Sequence, residues 1–198
     1  MPAKTHVLDE TEGHVSDWPD AIFAELGALE VRQVAYVPDA GHTRLITLCA
    51  GDSGMRSVPL TTEEEGVALL AGAWLGGERG VLLMQSSGVG NCVNMLSLTQ
   101  ACRFPLLMLI TMRGEWGEFN PWQLHMGQRT ARTLELCGTI VHRLDDAERA
   151  EDAVRAAGVM AFEGQMPVAV LIAQALIGAK GFGQIGRASC RERVFALV

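Results

Sequence analysis

The chain has 198 residues, of which 48% are hydrophobic, and this suits one domain of moderate size with a full core. Its net charge of −7, without any basic run, argues against nucleic-acid binding. No apolar run approaches the ~18 residues of a membrane span, and the amino terminus lacks the apolar segment of a signal peptide. We therefore expect a cytoplasmic protein that binds neither membranes nor nucleic acid.

The five cysteines are scattered along the chain and form no C-x-x-C pair. This pattern is typical neither of a disulfide framework nor of a zinc site, so we predict no metal ligands. We expect them to be small core residues in a reducing compartment. They are Cys49, Cys92, Cys102, Cys137 and Cys190.

The amino-terminal part of the chain is predicted to supply one helix and two strands. Residues 1–16 are polar and are expected to be a loose segment. A helix is predicted over 17–29, because its apolar residues recur at helical spacing. Strands are predicted at 33–37 and 45–49, and residues 38–42 form the turn at the carboxyl end of the first strand.

The stretch 61–94 predicts a helix, a strand and a Gly-rich turn that enters a second helix. Thr61 is the expected N-cap of the first helix, and Glu64 three residues on would complete a capping box. This helix is predicted to end near Leu75, before a pair of glycines. The run Val81–Met84 is apolar enough for a strand that is buried on both faces.

Three glutamates open this helix, and they face different directions. Glu63 heads a stripe of apolar residues, so it is predicted to point where water is scarce. The stripe consists of Val67, Leu70 and Trp74. Glu64 is free to serve the cap, and Glu65 is expected to be solvated. The alternative is that all three merely complement the helix dipole.

The rest of the chain continues the alternation of strands and helices. Strands are predicted at 106–111, 139–142 and 168–172, and helices at 129–137 and 146–162. This alternation predicts an α/β fold, a three-layer open parallel sheet with helices on both faces. In such sheets ligands bind at the carboxyl ends of the strands.

A long loop, RGEWGEFNPWQLHMGQ, is predicted at 113–128. Long loops in compact domains are often lids that close over a site. The other interpretation, which stays open, is a surface loop that packs its aromatic residues on a partner subunit. These aromatic residues are Trp116, Phe119 and Trp122.

Two pieces of sequence, TEEEGVALLAGAWLGG at 62–77 and MQSSGVGNCVN at 84–94, together resemble the pyrimidine-binding domain of thiamine-diphosphate-dependent decarboxylases. The resemblance runs from about Val31 to Phe182, and it implies a pyrimidine-binding domain over 17–183. Within this family it is strongest to sulfopyruvate decarboxylase, alpha subunit, and next to phosphonopyruvate decarboxylase.

The resemblance also implies an activity. In this family a glutamate hydrogen-bonds the N1′ atom of the aminopyrimidine of thiamine diphosphate, and Glu63 matches it as the catalytic residue. The implied reaction is non-oxidative decarboxylation of an acidic 2-keto acid, foremost 3-sulfopyruvate to sulfoacetaldehyde and carbon dioxide. A phosphonopyruvate decarboxylase is one alternative. A non-catalytic pyrimidine-domain module for binding or regulation is another.

The resemblance further implies two sets of binding residues. The set for the cofactor is Pro38, Glu63, Ser86, Ser87, Gly88 and Asn91. The set for the acid group of the substrate is His42, Arg113 and His125. By position alone, His42 is expected to be exposed in a loop. The Gly-rich turn is open to a plainer interpretation as a tight strand-to-helix turn, since no dinucleotide or P-loop fingerprint is present.

The diphosphate half of the family's site has no clear match in this chain. The family binds the diphosphate through magnesium on a separate domain, with Gly-Asp-Gly and a downstream Asn. Gly51-Asp52-Ser53 is the nearest match, and its third residue is wrong. We therefore expect a diphosphate-binding beta subunit to hold the magnesium in a hetero-oligomer, unless that half was lost beyond Phe182.

The last fifteen residues, 184–198, stand apart from the rest of the chain. Within them, Gln184–Val194 closely resembles the translation of a sequencing-library adapter. They are therefore predicted to be an artefactual tail rather than evolved protein. A genuine basic tail is the alternative.

Overall fold

The computed structural model describes residues 18–178. The predicted loose segment 1–16, the predicted tail 184–198 and Cys190 lie outside the described residues.

Helices and strands alternate along the described part of the chain. The strands are β1 (Val31–Tyr36), β2 (Arg56–Pro59), β3 (Arg79–Gln85), β4 (Leu106–Thr111), β5 (Ile140–Leu144) and β6 (Pro167–Ile172). The helices are α1 (Trp18–Ala28), α2 (Thr43–Gly51), α3 (Glu63–Leu75), α4 (Val89–Cys92), α5 (Ser97–Ala101), α6 (Pro121–Gly127), α7 (Thr130–Leu136), α8 (Ala150–Phe162) and α9 (Gln174–Ile177). Short 3₁₀ turns lie at Ala40–His42, Ser86–Gly88 and Ala147–Arg149.

Within residues 18–178 the strands form one sheet in the order β2-β1-β3-β4-β6-β5, and every neighbouring pair is parallel. The chain leaves β1 toward β2 on one side and resumes at β3 on the other side. The strand order therefore reverses between β1 and β3, and open sheets of this kind bind ligands at such a point.

The central strands are buried because helices cover both faces of the sheet. All six residues of β4 and of β6 are buried. Leu107 and Leu109 of β4 belong to the core shared with α1, α2 and α8, whereas Met108 and Ile110 belong to the core shared with α3, α4 and α7. Successive side chains of a strand point to opposite faces, so this alternation builds the two cores. The predicted three-layer α/β fold is confirmed.

The prediction of a strand at 45–49 is wrong, because these residues lie in α2. Leu45 and Cys49, four residues apart, are both buried, which is the helical period. The second strand is instead β2, whose RSVP sequence is half-exposed at the sheet edge. The sequence of β2 is too weakly apolar to predict a strand. The run LITLC at 45–49 is compatible with either a strand or a helix.

The predicted loop at 113–128 is also partly wrong, since its second half is α6. Asn120 is the N-cap of α6 and accepts a hydrogen bond from the Trp122 backbone N–H at 3.2 Å. Pro121 follows at the first helical position, where a missing N–H costs least. Both start signals are present in the sequence, but the glycine and aromatic residues of the segment favour a loop.

Smaller corrections concern the other helices and the cysteines. The helix predicted after the Gly-rich turn is two short helices, α4 and α5. Cys49 and Cys92 are buried as expected, but Cys102 is exposed and Cys137 is half-buried. No helix in the described range is long and apolar enough to cross a membrane.

Candidate active site at the carboxyl edge of the sheet

A cavity of about 330 Å³ lies where β1, β3 and β4 end. These strands are neighbours in the sheet, so the segments that follow them meet at one edge. The lining residues are Val37, Pro38, Asp39, Glu63, Gln85, Ser87, Arg113, Phe119, Asn120 and Gln123. The cavity therefore unites four residues predicted from sequence, namely Pro38, Glu63, Ser87 and Arg113, with others that were not.

Glu63 is the first residue of α3 and is only 9% exposed, as its place on the apolar stripe predicts. Its Oε2 accepts a hydrogen bond from Nδ2 of Asn91 at 2.7 Å. The predicted capping box of Thr61 and Glu64 is wrong, since Thr62 is the N-cap and makes no side-chain capping hydrogen bond. Glu65 accepts hydrogen bonds from the backbone and hydroxyl of Thr61 at 3.0 and 2.8 Å. Glu63 is thereby left to face the cavity.

The Gly-rich turn places a glycine directly against this carboxylate. A Cβ built on Gly88 would lie 2.3 Å from Cδ and Oε1 of Glu63. A side chain at this position would therefore have to displace the Glu63 carboxyl group. The neighbouring serines diverge: Ser87 lines the cavity, whereas Ser86 is buried and its Oγ accepts from the Arg113 backbone N–H at 3.1 Å. Ser86 thus joins the ends of β3 and β4 rather than lining the cavity.

Asp39 is a second acidic residue of the cavity, and the sequence analysis did not single it out. It is 8% exposed and accepts hydrogen bonds from Gln85 Nε2 at 2.8 Å and from Thr111 Oγ1 at 2.5 Å. Gln85 in turn accepts from Ser87 Oγ and from Gln123 Nε2, at 3.1 and 2.9 Å. The available signal was its place, three residues after the end of β1, in the turn at the edge where such sheets bind ligands.

Arg113 lines the cavity and is the sole cation among the lining residues. Its guanidinium forms a two-point ion pair with Glu118, from Nε at 2.7 Å and from Nη2 at 2.8 Å. Both side chains are largely buried. The cavity wall therefore combines the carboxylates of Asp39 and Glu63 with one arginine, whose positive charge is balanced by its ion pair with Glu118.

The two histidines of the predicted substrate set do not line this cavity. His42 was expected to be exposed, but it is completely buried, with Nε2 3.0 Å from the Leu109 carbonyl oxygen. Burial lowers the pKa of His42, and the nearby Asp39 opposes this only in part. His125 is exposed on α6. Within residues 18–178, no group of three or more His, Cys, Asp or Glu side chains could hold a metal ion.

The sequence is similar to two archaeal decarboxylase subunits over most of its length, although no family model matches it. Sulfopyruvate decarboxylase subunit alpha of Methanocaldococcus jannaschii is 32% identical over 152 residues, which are 76% of this chain and 90% of that protein. The subunit alpha of Methanococcus maripaludis is 31% identical over 154 residues, 77% of this chain and 92% of that protein.

Two further likenesses cover only part of a longer protein. Phosphonopyruvate decarboxylase of Streptomyces viridochromogenes is 42% identical over 118 residues, which are 59% of this chain and 30% of that protein. A 2-oxoglutarate:ferredoxin oxidoreductase from Magnetococcus marinus, solved with 2-oxoglutarate, coenzyme A and succinyl-CoA bound, superposes with a TM-score of 0.63 at 15% identity. That match covers 81% of this chain and 29% of the oxidoreductase chain, and it supports the fold alone.

Fold and cavity together define a doubly wound α/β enzyme domain with its cleft at the reversal of strand order. The chain belongs to the family of sulfopyruvate decarboxylase alpha subunits, given its identity to two of them over about three quarters of its length. This confirms the predicted family and the predicted enzyme class, a subunit of a carboxy-lyase. Phosphonopyruvate decarboxylases come next, as the resemblance indicated.

Proposed function

We propose that the chain is the pyrimidine-binding subunit of a thiamine-diphosphate-dependent decarboxylase that converts 3-sulfopyruvate to sulfoacetaldehyde and carbon dioxide. The observation that carries the proposal is the buried Glu63 carboxylate at the cavity, held by Asn91 and packed on Gly88. Membership of the sulfopyruvate decarboxylase alpha family supports the choice of substrate.

The residues at the cavity fit an aminopyrimidine. Oε2 of Glu63 is engaged by Asn91, so Oε1 is the oxygen left to hold a proton opposite a ring nitrogen. Pro38 and Ser87 line the cavity around it, while Gly88 and Asn91 fix the carboxylate in place. When bound, thiamine diphosphate supplies the carbon nucleophile for the keto carbon and the sink for the electrons released with carbon dioxide.

The role of Glu63 in this proposal is to exchange one proton with the pyrimidine ring. General acid–base steps of this kind contribute ~10²–10⁴-fold to a rate. The Asn91 amide keeps the carboxylate from rotating away, since it can donate to Oε2 but offers nothing to Oε1 in this geometry. Burial of the carboxylate excludes water that would compete for the same proton.

Arg113 is the residue of the proposed substrate set that reaches the cavity. A guanidinium suits an oxyanion because its donors form a fork. His42 and His125 do not reach the cavity, so within this chain the proposal for the acid group rests on Arg113. Magnesium and the diphosphate are assigned to a beta subunit, because this sequence lacks the Gly-Asp-Gly motif and its relatives are named as alpha subunits.

The test is reconstitution of the chain with a candidate diphosphate-binding beta subunit, one that carries Gly-Asp-Gly and a downstream Asn, in the presence of thiamine diphosphate and magnesium. Carbon dioxide release from 3-sulfopyruvate is expected, and 3-phosphonopyruvate is the competing substrate that the Streptomyces relative suggests. Glu63→Gln should abolish turnover and keep the fold, whereas Glu64→Gln should retain it, since Glu64 does not line the cavity. A well-formed complex that turns over neither keto acid would favour a non-catalytic module.

A further inference from the structure

The segment after β4 builds a buried ion pair into the cavity wall. The side chains of Arg113 and Glu118 are 11% and 2% exposed. Nε and Nη2 of Arg113 each donate to a different oxygen of Glu118, at 2.7 and 2.8 Å. Two parallel bonds of this kind fix the plane of the guanidinium as well as its position.

Glu118 is anchored independently of Arg113. Its carboxylate also accepts from the backbone N–H of Asn120 and from Nε2 of Gln174, both at 3.0 Å. Oε1 of Gln174 accepts from the backbone N–H groups of Glu115 and Trp116, which leaves its amide nitrogen to face Glu118. Burial raises the pKa of Glu118, but the hydrogen bonds from Asn120, Arg113 and Gln174 outweigh it and hold that pKa below its usual value. The carboxylate is therefore a fixed anion.

Arg113 keeps unused donors on its other edge. A guanidinium carries five N–H groups, and Glu118 takes two of them. Nη1 has no hydrogen-bond partner within residues 18–178, and the side chain borders the cavity. The three remaining N–H groups can donate to the terminal oxygens of a tetrahedral oxyanion. The Glu118 carboxylate occupies the opposite edge of the guanidinium, so it would not obstruct such a ligand.

We propose that Glu118 is a positioning residue, which holds the free edge of Arg113 toward the cavity to bind the sulfonate or phosphonate group of the keto acid. The inference rests on the proposed function, and it identifies the Arg113 guanidinium, oriented by Glu118, as the group that binds the acidic tail of the substrate. The opposite arrangement, in which the substrate displaces Glu118 from Arg113, is disfavoured because Gln174 and Asn120 hold Glu118 in place.

The experiment compares Glu118→Gln with Glu115→Gln in the reconstituted complex, by steady-state kinetics on 3-sulfopyruvate and 3-phosphonopyruvate. Glu115 is the control, because it lies in the same segment but does not line the cavity; its carboxylate pairs with Arg143 and accepts a long bond, 3.4 Å, from the Gln174 backbone N–H. Glu118→Gln should raise KM about 10- to 100-fold, the worth of one hydrogen bond to a charged group, with kcat nearly unchanged. Glu115→Gln should leave both constants unchanged. The keto acid with the lower wild-type KM identifies the tail as sulfonate or phosphonate.

A double-mutant cycle separates positioning from a general structural role. Adding Glu118→Gln to Arg113→Gln should raise KM no further, because Glu118 acts through Arg113. Additive effects on KM, or an unchanged or lower KM in Glu118→Gln alone, would overturn the inference. Those results leave the proposed function standing as long as the wild-type complex decarboxylates a keto acid. Failure of the wild-type complex with both substrates refutes the proposed function and the inference together.

Discussion

At the scale of single residues, the site depends on a glycine that makes room for a carboxylate. Gly88 has a φ of −73°, which any residue can adopt, so its requirement is space and not backbone freedom. The carboxyl group of Glu63 occupies the volume that a Cβ would fill. At Gly90, two residues on, a built Cβ would meet no such obstacle, since the nearest atom outside its own helix and chain neighbours is Met126 Sδ at 3.7 Å.

We predict that Gly88→Ala removes activity by displacing Glu63. Overpacking of this kind costs about 1–3 kcal/mol of stability, and misplacing the carboxylate that we propose to be catalytic should lower turnover ~10²-fold or more. Gly90→Ala is the control, and it should keep activity and even gain stability, because alanine is the better helix former. Thermal unfolding and carbon dioxide release measure the two effects. Full turnover by Gly88→Ala would show that Glu63 needs no fixed position.

We also predict that His42 makes the fold sensitive to mild acid. Its folded-state pKa lies below its ordinary value of 6.5, so the unfolded chain binds a proton first as the pH falls. Stability is therefore full above pH 6.5 and declines below it, by at most about 1.4 kcal/mol per pH unit, until the folded-state pKa is passed. Urea unfolding at stepped pH should show this slope, and His42→Gln should flatten it. An equal slope in both proteins would contradict the assignment.

Residues whose environment is set by their own helix could be predicted from the sequence, whereas residues whose environment is set by distant strands could not. Glu63 was predictable, because a charged residue at the head of an apolar helical stripe must face the interior. His42 was not, because it lies in a turn without an apolar stripe, and its burial is set by contact with Leu109 of the distant strand β4. Asp39 is the same case, since its partners Gln85 and Thr111 come from β3 and β4.

At the scale of elements, the errors fall where local sequence suits two structures. The run at 45–49 is apolar and partly β-branched, and packing of α2 against α1 decides for a helix. The strands β3, β4 and β6 were predictable because burial on both faces demands a continuous apolar run. The edge strand β2 has no such demand and was missed.

The helix α6 joins the cavity to an exposed aromatic surface. Gln123 lines the cavity, while its neighbour Trp122 is 81% exposed. Trp116, in the segment before this helix, is also exposed. Phe119 differs, because it is half-buried and lines the cavity. Exposed tryptophans are typical anchors of a subunit interface, and these two lie beside the site that we propose a second chain completes.

We predict that Trp122→Ser weakens binding of the beta subunit about 30-fold or more, the usual loss at an interface anchor of ~2 kcal/mol. The melting temperature of the isolated chain should hardly change, since the side chain is exposed. Leu75→Ser is the control: Leu75 is 87% exposed at the carboxyl end of α3, away from the cavity lining. Titration calorimetry of each variant with the beta subunit decides, and equal affinities of Trp122→Ser and wild type would refute this interface.

At the scale of the whole molecule, the sheet order explains why the cavity lies at one edge of the sheet. The reversal of strand order between β1 and β3 opens the crevice, and the segments after β1, β3 and β4 line it. These segments give the wall a negative character. The carboxylates of Asp39 and Glu63 line it, and the positive charge of Arg113 is neutralised by Glu118. A wall with two carboxylates would repel a diphosphate, which is consistent with the proposal that this cavity takes the pyrimidine end of thiamine diphosphate.

We therefore predict that the isolated chain binds thiamine diphosphate weakly and no better than thiamine itself. The sequence has no Gly-Asp-Gly motif, and within residues 18–178 Arg113 is the sole cation that lines the cavity. Negative charges on ligand and wall should cancel whatever the diphosphate gains. Calorimetry of the chain alone, with magnesium present, should give similar weak heats for both ligands, whereas the complex with the beta subunit should bind the diphosphate form far more tightly. Micromolar binding of thiamine diphosphate to the chain alone, well above that of thiamine, would show that the diphosphate site lies in this chain and that the split-site proposal is wrong.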